Sequence, residues 1–310
     1  MRIAIVGPGA VGCTIGAYLV LGGRQVVFLT RDEKRAEELR ASGIKVEGVR
    51  GPFKVPASAT ADAAGAGTFQ LVIVCVKAYE TATAMAQHAA AVGPTTIVTT
   101  FQNGLGNLQA LASVVGDGRV LGGTTALGAN LLGPGLVHHA GDGDTFVGEP
   151  TGEVSGRAEH VARQLSAVGM ETRAVRDIRA RIWSKVAVNC GINALTAVLR
   201  VRNGVLPRHP ETLVLMDSAV REAVAVARAR GLPLDETTMV EATREVARRT
   251  AENVSSMLAD VRAGRRSEIA EINGAVAAAA REARLSAPVN ETLAFLVCAV
   301  EATAKERLRR

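Results

Sequence analysis

A short apolar run, Ile3 to Val6, passes without interruption into Gly7-Pro8-Gly9-Ala10-Val11-Gly12. Beyond it the spacing predicts a helix from Cys13 to Leu21, stopped by Gly22-Gly23, and a second strand from Gln25 to Thr30. Continuous apolar runs at 71–76 and 96–100 have the character of strands covered on both faces, as in a parallel sheet. From Leu121 to Gly148 short segments alternate with glycine-rich turns, which predicts antiparallel strands; a helix over 156–168 and a strand over 171–175 follow. After Asp177 the period is helical, over 179–199, 211–230, 235–249, 255–263, 268–283 and 290–309. Breaks fall at Gly231-Leu232-Pro233, Gly264 and Ala287-Pro288. The predicted class is α/β, a parallel-sheet domain followed by an all-helical one.

The turn after the first strand carries the spacing GxGxxG. Gly7 lets the chain turn sharply, Gly9 leaves room for a pyrophosphate, and Gly12 lets the next helix pack on the sheet. Pro8, Ala10 and Val11 complete a loop whose helix offers unpaired N–H groups and a positive dipole end to phosphates. A tight strand–helix turn without a ligand is the alternative. A dinucleotide reading makes residues 1–175 a Rossmann-type NADP-binding domain and 176–310 a helical substrate and catalytic domain. At the end of the second strand an acidic residue would read the ribose hydroxyls of NAD, and a cation the 2′-phosphate of NADP. Arg31 occupies that place and favours NADP(H) as a phosphate clamp, although Asp32 beside it keeps NAD open. Lys77 and Asn103 end the two buried runs, so both lie at the carboxyl edge of the sheet, where such folds bind ligands. An exposed strand-end lysine and a plain Asn103-Gly104 turn are the competing readings.

Lys185, Asn189 and Asn193 are spaced four apart within an apolar helix and form one polar stripe. Buried polar groups need partners, and this row would supply donors to a carboxylate and a carbonyl; an interior hydrogen-bond network is the alternative. Gly191 inside the same helix marks close packing. Taken alone, Ser256 reads as a cap or helix surface and Glu268 as a first-turn helix carboxylate. His138 and His139, adjacent on a strand, point to opposite faces and are structural.

Composition narrows the partners. The chain has 310 residues, 48% of them hydrophobic, and a net charge of +6 from 36 basic and 30 acidic residues. This suits anionic small molecules, but the scattered basic residues and 3% aromatics exclude a nucleic-acid platform. Cys13, Cys75, Cys190 and Cys298 lack metal spacing and are expected as buried thiols in a reducing compartment. No metal and no membrane segment are expected, and the protein should be cytoplasmic. Lys305 to Arg310 read as a solvated helix terminus. Apolar helix faces suit either a homodimer interface or packing within the chain.

Taken in order, Gly7-x-Gly9-x-x-Gly12, Val76-Lys77-Ala78, Gln102-Asn103-Gly104-Leu105-Gly106, Trp183-x-Lys185-x-x-x-Asn189-Cys190-x-x-Asn193, Ser255-Ser256-Met257-Leu258-x-Asp260-Val261, Glu268-Ile269 and Ile272-Asn273-Gly274 resemble the ketopantoate reductase family along essentially the whole chain. The resemblance implies NADPH, hydride transfer to the ketone of the 2-oxo acid 2-dehydropantoate, and a cleft between a Rossmann domain and a helical domain. It implies Lys185 as general acid and Glu268 as the carboxylate that accepts from the substrate hydroxyl. It also implies Asn103, Asn189, Asn193 and Ser256 as substrate contacts, Asn103 near the nicotinamide, and Lys77 on the cofactor side. Ala270 departs from the Glu-Ile-Asp common in the family, and the glycine that often precedes the final proline-asparagine element, here Pro288-Val289-Asn290, is absent. Another branched 2-oxo acid as substrate, or a non-catalytic NADPH sensor, are the alternative functions.

Overall fold

The computed structural model describes residues 1–306 and contains two compact units, residues 1–102 with 107–179, and residues 103–106 with the described residues from 180 onward. In the first unit the strands are β1 (Arg2–Val6), β2 (Gln25–Leu29), β3 (Ile44–Gly48), β4 (Phe53–Val55), β5 (Ser58–Thr60), β6 (Phe69–Val74), β7 (Val92–Thr100), β8 (Val120–Thr125), β9 (Gly128–Gly133), β10 (Leu136–Gly141), β11 (Thr145–Gly148) and β12 (Thr172–Ala174). Its helices are α1 (Ala10–Leu21), α2 (Glu33–Ser42), α3 (Ala63–Ala66), α4 (Thr81–Gln87), α5 (Asn107–Val115) and α6 (Gly156–Ser166).

Eight strands form one sheet in the order β12-β11-β8-β7-β6-β1-β2-β5, parallel from β5 to β8, with β11 antiparallel to β8. The chain moves outward from β1 to β2 and β5, then returns to β6 on the other side. That reversal beside β1 is the topological switch point at which doubly wound folds bind nucleotides. Ile3, Ile5, Leu71 and Ile73 are fully buried and belong to the core on one face; Ala4, Val72 and Val74 belong to the core on the other.

The 121–148 segment does form strands, but they serve two sheets. β4-β3-β10-β9 make a second, four-stranded sheet that the periodicity did not predict, because β3 and β10 pair residues as far apart in sequence as Lys45 and Leu136. This sheet packs on α1, where Tyr18 stacks at 5.2 Å on Phe53 and meets His139 Nδ1 at 2.8 Å through its hydroxyl. His139 is therefore a fully buried structural residue, as its place on a strand suggested.

The second unit contains α7 (Ile178–Leu199), α8 (Pro210–Ala229), α9 (Glu236–Arg249), α10 (Ser256–Arg262), α11 (Ala275–Glu282) and α12 (Pro288–Ala302), with Ile178 and Arg179 of α7 falling in the first unit. Trp183, Val186, Cys190, Leu195 and Ala197 of α7 lie in the core of this unit. Gly191 permits the packing: a Cβ there would meet Val220 at 2.9 Å, Thr243 at 3.0 Å and Met216 at 3.1 Å, all on neighbouring helices. Among the described residues α7 is the one helix long and apolar enough to cross a membrane, but 61% of its apolar window is buried in the protein. It has the character of a core helix.

Three expectations need correction. The helix expected over 268–283 is instead a π-helical turn, Ala270–Gly274, followed by α11, so Glu268 precedes the turn rather than standing in the first turn of an α-helix. Cys298 is exposed, because it lies on a face of α12 turned from the core, and Cys75 is only partly buried. The last helix ends at Ala302; Lys305 and Glu306 sit in a turn, and the rest of the basic end lies outside the described residues.

Candidate active site

In the first unit the turn after β1 has the geometry its glycines foretell. Gly7 takes φ +86°, and a Cβ on it would strike Val76 at 2.4 Å. A Cβ on Gly12 would lie 2.4 Å from the Gly7 carbonyl oxygen and 3.1 Å from Ile5 and Cys75, so α1 approaches the sheet as only glycine allows. Gly9 faces open space, with nothing within 4 Å of its Cβ position, and caps α1 without any side-chain hydrogen bond. Pro8 and Gly12 are buried, whereas Gly9, Ala10 and Val11 are partly open. The loop thus presents an unobstructed helix N-terminus at the switch point, which fits a pyrophosphate.

At the end of β2, Arg31 is 85% exposed and Asp32 is committed elsewhere. The Asp32 carboxylate caps α2, accepting the Arg35 N–H at 2.9 Å, and its other oxygen accepts Arg31 Nε at 3.3 Å. The Arg35 N–H bond, then Arg31, hold the carboxyl below its usual range. A carboxylate used as a cap is poorly placed to read ribose hydroxyls, whereas the Arg31 side chain is open to solvent. Lys77 follows β6 and begins the turn Ala78–Glu80. Gln102 closes the edge after β7: its Nε2 donates to the Val76 carbonyl at 2.7 Å and to Thr81 at 2.8 Å, and its Oε1 accepts from Thr100 at 2.7 Å. Reading spacing alone gave Gln102 no role, since nothing in the sequence shows that its amide ties β6 to β7.

Four residues, Asn103 to Gly106, belong to the second unit although both flanking stretches belong to the first. Gly104 takes φ +85°, and a Cβ there would lie 2.5 Å from the Glu271 carbonyl oxygen. The Leu105 N–H donates to that same oxygen at 2.8 Å. Docked in this way, Asn103 donates from Nδ2 to Glu268 Oε2 at 3.2 Å. The two residues, 165 positions apart in sequence, are thus brought together.

Lys185 and Asn189 are partly buried and Asn193 is 6% exposed, all in one row of α7. Among the described residues none of their side chains makes a protein hydrogen bond, so an interior network does not account for the row. Burial pushes the Lys185 ammonium down from its usual 10.5 to about 8, while the Glu268 carboxylate pulls it back up. Glu268 itself is 6% exposed. Beside it Glu271 is raised by burial above its usual range and faces Arg266 at 3.6 Å. Ala270 is exposed at the start of the π turn.

Ser255, not Ser256, caps α10, accepting the Leu258 N–H at 3.1 Å. Its hydroxyl also bonds Thr196 of α7 at 2.7 Å. Ser256 is left exposed as the first residue of that helix, joined through Ser255 to the helix that carries Lys185.

A lysine held near neutrality, a carboxylate, unpaired amides and a serine suit the recognition and protonation of a small polar acid. Among the described residues no group of His, Cys, Asp and Glu could hold a metal ion.

Known proteins match the chain over two successive stretches. The family model for ketopantoate reductase PanE/ApbA matches residues 3–152, and that for its C-terminal part matches residues 177–301. A 2-dehydropantoate 2-reductase from Halobacterium salinarum is 40% identical over 302 residues, spanning 96% of this chain and 98% of that one. The crystal structure of 2-dehydropantoate 2-reductase from Geobacter metallireducens superposes with a TM-score of 0.91 at 31% identity, covering 96% of this chain and 99% of the other. A dimeric ketopantoate reductase from Staphylococcus aureus shares the fold with a TM-score of 0.83 at 22% identity, covering 98% and 99%. With both parts matched in order and relatives alike over nearly their whole length, the chain belongs to the ketopantoate reductase family.

Proposed function

We propose that the chain reduces 2-dehydropantoate to pantoate with NADPH, in pantothenate biosynthesis. The observation that carries this reading is the row of unpaired Lys185, Asn189 and Asn193 side chains, with the Lys185 ammonium pulled between burial and Glu268. Residues 1–175 hold the cofactor: Gly7 to Gly12 receive the pyrophosphate, Arg31 the 2′-phosphate, and Lys77 and Asn103 lie on the nicotinamide side. Residues 176–310 hold the 2-oxo acid.

Bound NADPH supplies a hydride to the ketone carbon, a two-electron reduction that leaves the carbonyl oxygen as an alkoxide. Lys185 stabilises that developing charge and donates its proton to the oxygen, giving the alcohol. An ammonium with a pKa of about 8 is mostly protonated at neutral pH yet gives its proton up readily. Glu268 accepts from the substrate hydroxyl and holds the charge of Lys185 in place, while Asn103 fixes the Glu268 carboxylate. Asn189, Asn193 and Ser256 direct donors to the carboxylate and carbonyl of the acid.

Purified protein offered NADPH with 2-dehydropantoate, 2-oxoisovalerate or pyruvate, each repeated with NADH, tests the assignment by absorbance loss of the reduced cofactor. Turnover confined to NADPH and 2-dehydropantoate is expected. Preference for another oxo acid would move the substrate while keeping the chemistry, and NADPH binding without oxidation of any of the three would point to a sensor. Lys185→Ala should cost about 10²- to 10⁴-fold in turnover with NADPH binding retained; parent-like turnover would remove Lys185 as the acid.

The same reading takes the enzyme to be cytoplasmic and a homodimer. All four cysteines are free thiols, which suits a reducing compartment. Val214, Leu215, Phe295 and Leu296 leave apolar side chains exposed on the second unit, and the S. aureus relative is named as dimeric. A monomer mass by light scattering would remove the dimer.

A further inference from the structure

Asn273 and Asn290 are both fully buried, and neither has a part in the chemistry described above. Burying an amide is unfavourable unless its donors and acceptors are matched. Asn273 Nδ2 donates to the Cys190 carbonyl at 3.2 Å and to Asn290 Oδ1 at 3.0 Å. Asn290 Nδ2 in turn donates to the Ala219 carbonyl at 2.9 Å and to Glu222 Oε2 at 2.8 Å. The Glu222 carboxylate also accepts the backbone N–H groups of Val289 and Asn290, each at 2.9 Å.

The direction of this chain of bonds is fixed at one end. A backbone carbonyl only accepts, so Asn290 must turn its amino group to Ala219 and Glu222 and its oxygen to Asn273. Asn273 must then present its amino group to Asn290 and to Cys190. Flipping the Asn273 amide would set its oxygen against two acceptors, and its own Oδ1 stays buried without a protein partner. Such a network holds one orientation at the expense of a matched acceptor, which points to a demand on geometry rather than on stability alone.

The two ends of the Asn273–Cys190 bond lie on the segments that carry the reacting pair. Cys190 stands on α7 five residues past Lys185, and Asn273 stands in the π turn five residues past Glu268. The π turn, closed by the Gly274 N–H on the Ile269 carbonyl at 3.0 Å, takes up one residue more than an α-turn. Without that residue Asn273 would be offset by about 100° around the helix and could not keep this contact.

We infer that Asn273, oriented by Asn290 and Glu222, is a positioning residue that holds the Glu268 turn against the Lys185 helix and so sets the coupling between the two charges. This rests on the proposed reading of Lys185 and Glu268 as the reacting pair.

The test uses the full-length enzyme at saturating NADPH, with kcat/KM for 2-dehydropantoate followed from about pH 6 to about pH 10. In Asn273→Ala, Glu268 loses its hold near Lys185 and the alkaline limb moves to lower pH. The deficit relative to the parent should be at least about threefold larger at the alkaline end than at the acid end, with KM for NADPH unchanged. Leu293→Ala, a core deletion at a 3% exposed position in the same unit, should lower the melting temperature and leave the limb in place. An unmoved limb in Asn273→Ala, or an equal displacement in Leu293→Ala, overturns the inference. If Asn273→Ala does not fold, Asn273→Ser is read by the same criterion. A parent-like rate in Lys185→Ala marks failure of the underlying reading, whereas a slow Lys185→Ala with an unmoved Asn273→Ala limb marks failure of the positioning role alone.

Discussion

Replacing Glu268 by glutamine keeps the size of the side chain and an oxygen to accept from Asn103, and removes only the charge. In the parent, burial pushes the Lys185 ammonium down to about 8, and Glu268 is the group that pulls it up. A lysine is charged when protonated, so a nearby carboxylate favours the protonated form and its removal lowers the pKa. An opposite charge at close range is worth roughly 1–3 pKa units, or about 1.4–4 kcal/mol. The alkaline limb of kcat/KM should therefore fall from about 8 to between about 5 and 7. For a shift of about two units, the parent is roughly half protonated at pH 8 and the variant about 1%, a deficit of roughly 50-fold. At about pH 6 the same comparison leaves only about a twofold deficit, so most of the lost activity returns on acidification. Loss of the acceptor for the substrate hydroxyl adds a deficit that is the same at every pH, and the phosphates of bound NADPH displace both profiles alike. The informative quantity is the ratio of parent to variant across the pH range, measured by NADPH oxidation at saturating cofactor. A ratio that stays flat from about pH 6 to about pH 9, however large, would refute the electrostatic coupling and leave Glu268 as a binding group only.

Arg31→Ala should weaken NADPH by roughly 10- to 100-fold, the worth of a charge-assisted bond of about 1.5–3 kcal/mol, and leave NADH nearly unchanged; equal losses in a fluorescence titration would show that Arg31 does not read the phosphate. Gly104→Ala places a Cβ at φ +85° and 2.5 Å from the Glu271 oxygen. At least about 1–2 kcal/mol of strain results, expected to dislodge Asn103 and raise KM for the oxo acid more than KM for NADPH; a pure loss of thermal stability with both KM values unchanged would contradict the docking. Burial depresses the His139 pKa below 6.5 despite the pull of Asp142, with Tyr18, Arg50 and His138 as the other groups facing it. The unfolded chain therefore binds more protons, and stability present above about pH 6.5 is lost as pH falls through the lower folded value. Urea melts should show this slope in the parent and a flatter one in His139→Gln, and identical slopes would exclude His139 as the source.

The parts of the molecule legible in the sequence were those set by local rules. Gly7, Gly9 and Gly12 carry their reasons within six residues, and the structure shows Gly7 at a sharp turn, Gly12 in tight packing and Gly9 facing open space. The four-residue spacing of Lys185, Asn189 and Asn193 likewise gives one face of α7 without any knowledge of the fold. Non-local pairing was not legible: β3 and β10 meet parallel across the intervening strands and helices, so no period in either segment announces the second sheet. The π turn was invisible for a related reason. Residues 268–283 carry a helical period, and the one-residue widening between Ile269 and Gly274 answers to partners on α7 and α12 rather than to propensity. Ser255 and Ser256 are equally good caps in isolation, and Thr196, 59 positions earlier, decides between them.

At Lys185 two opposed effects meet, burial being the larger, and their signs say which changes around it should act in which direction. Burial favours the neutral amine and Glu268 favours the ammonium, so opening the site to water and removing the carboxylate are both perturbations of one residue with opposite signs. Asn103 enters on the side of Glu268, because its amide donates to that carboxylate and holds in place the charge that acts on Lys185. The loop that delivers Asn103 is fixed to the second unit by the Leu105 N–H, the close approach of Gly104 and the packing of Leu105 on the core. A side chain borne by a segment that lies between β7 and α5 in sequence is therefore part of the electrostatic setting of a lysine on α7. On this account Asn103→Ala should lower the alkaline limb by less than Glu268→Gln does, in the same direction, and Asn103→Asp should instead raise it by adding a second carboxylate near the ammonium. A limb left in place by both Asn103 variants would show that Asn103 acts on the substrate alone.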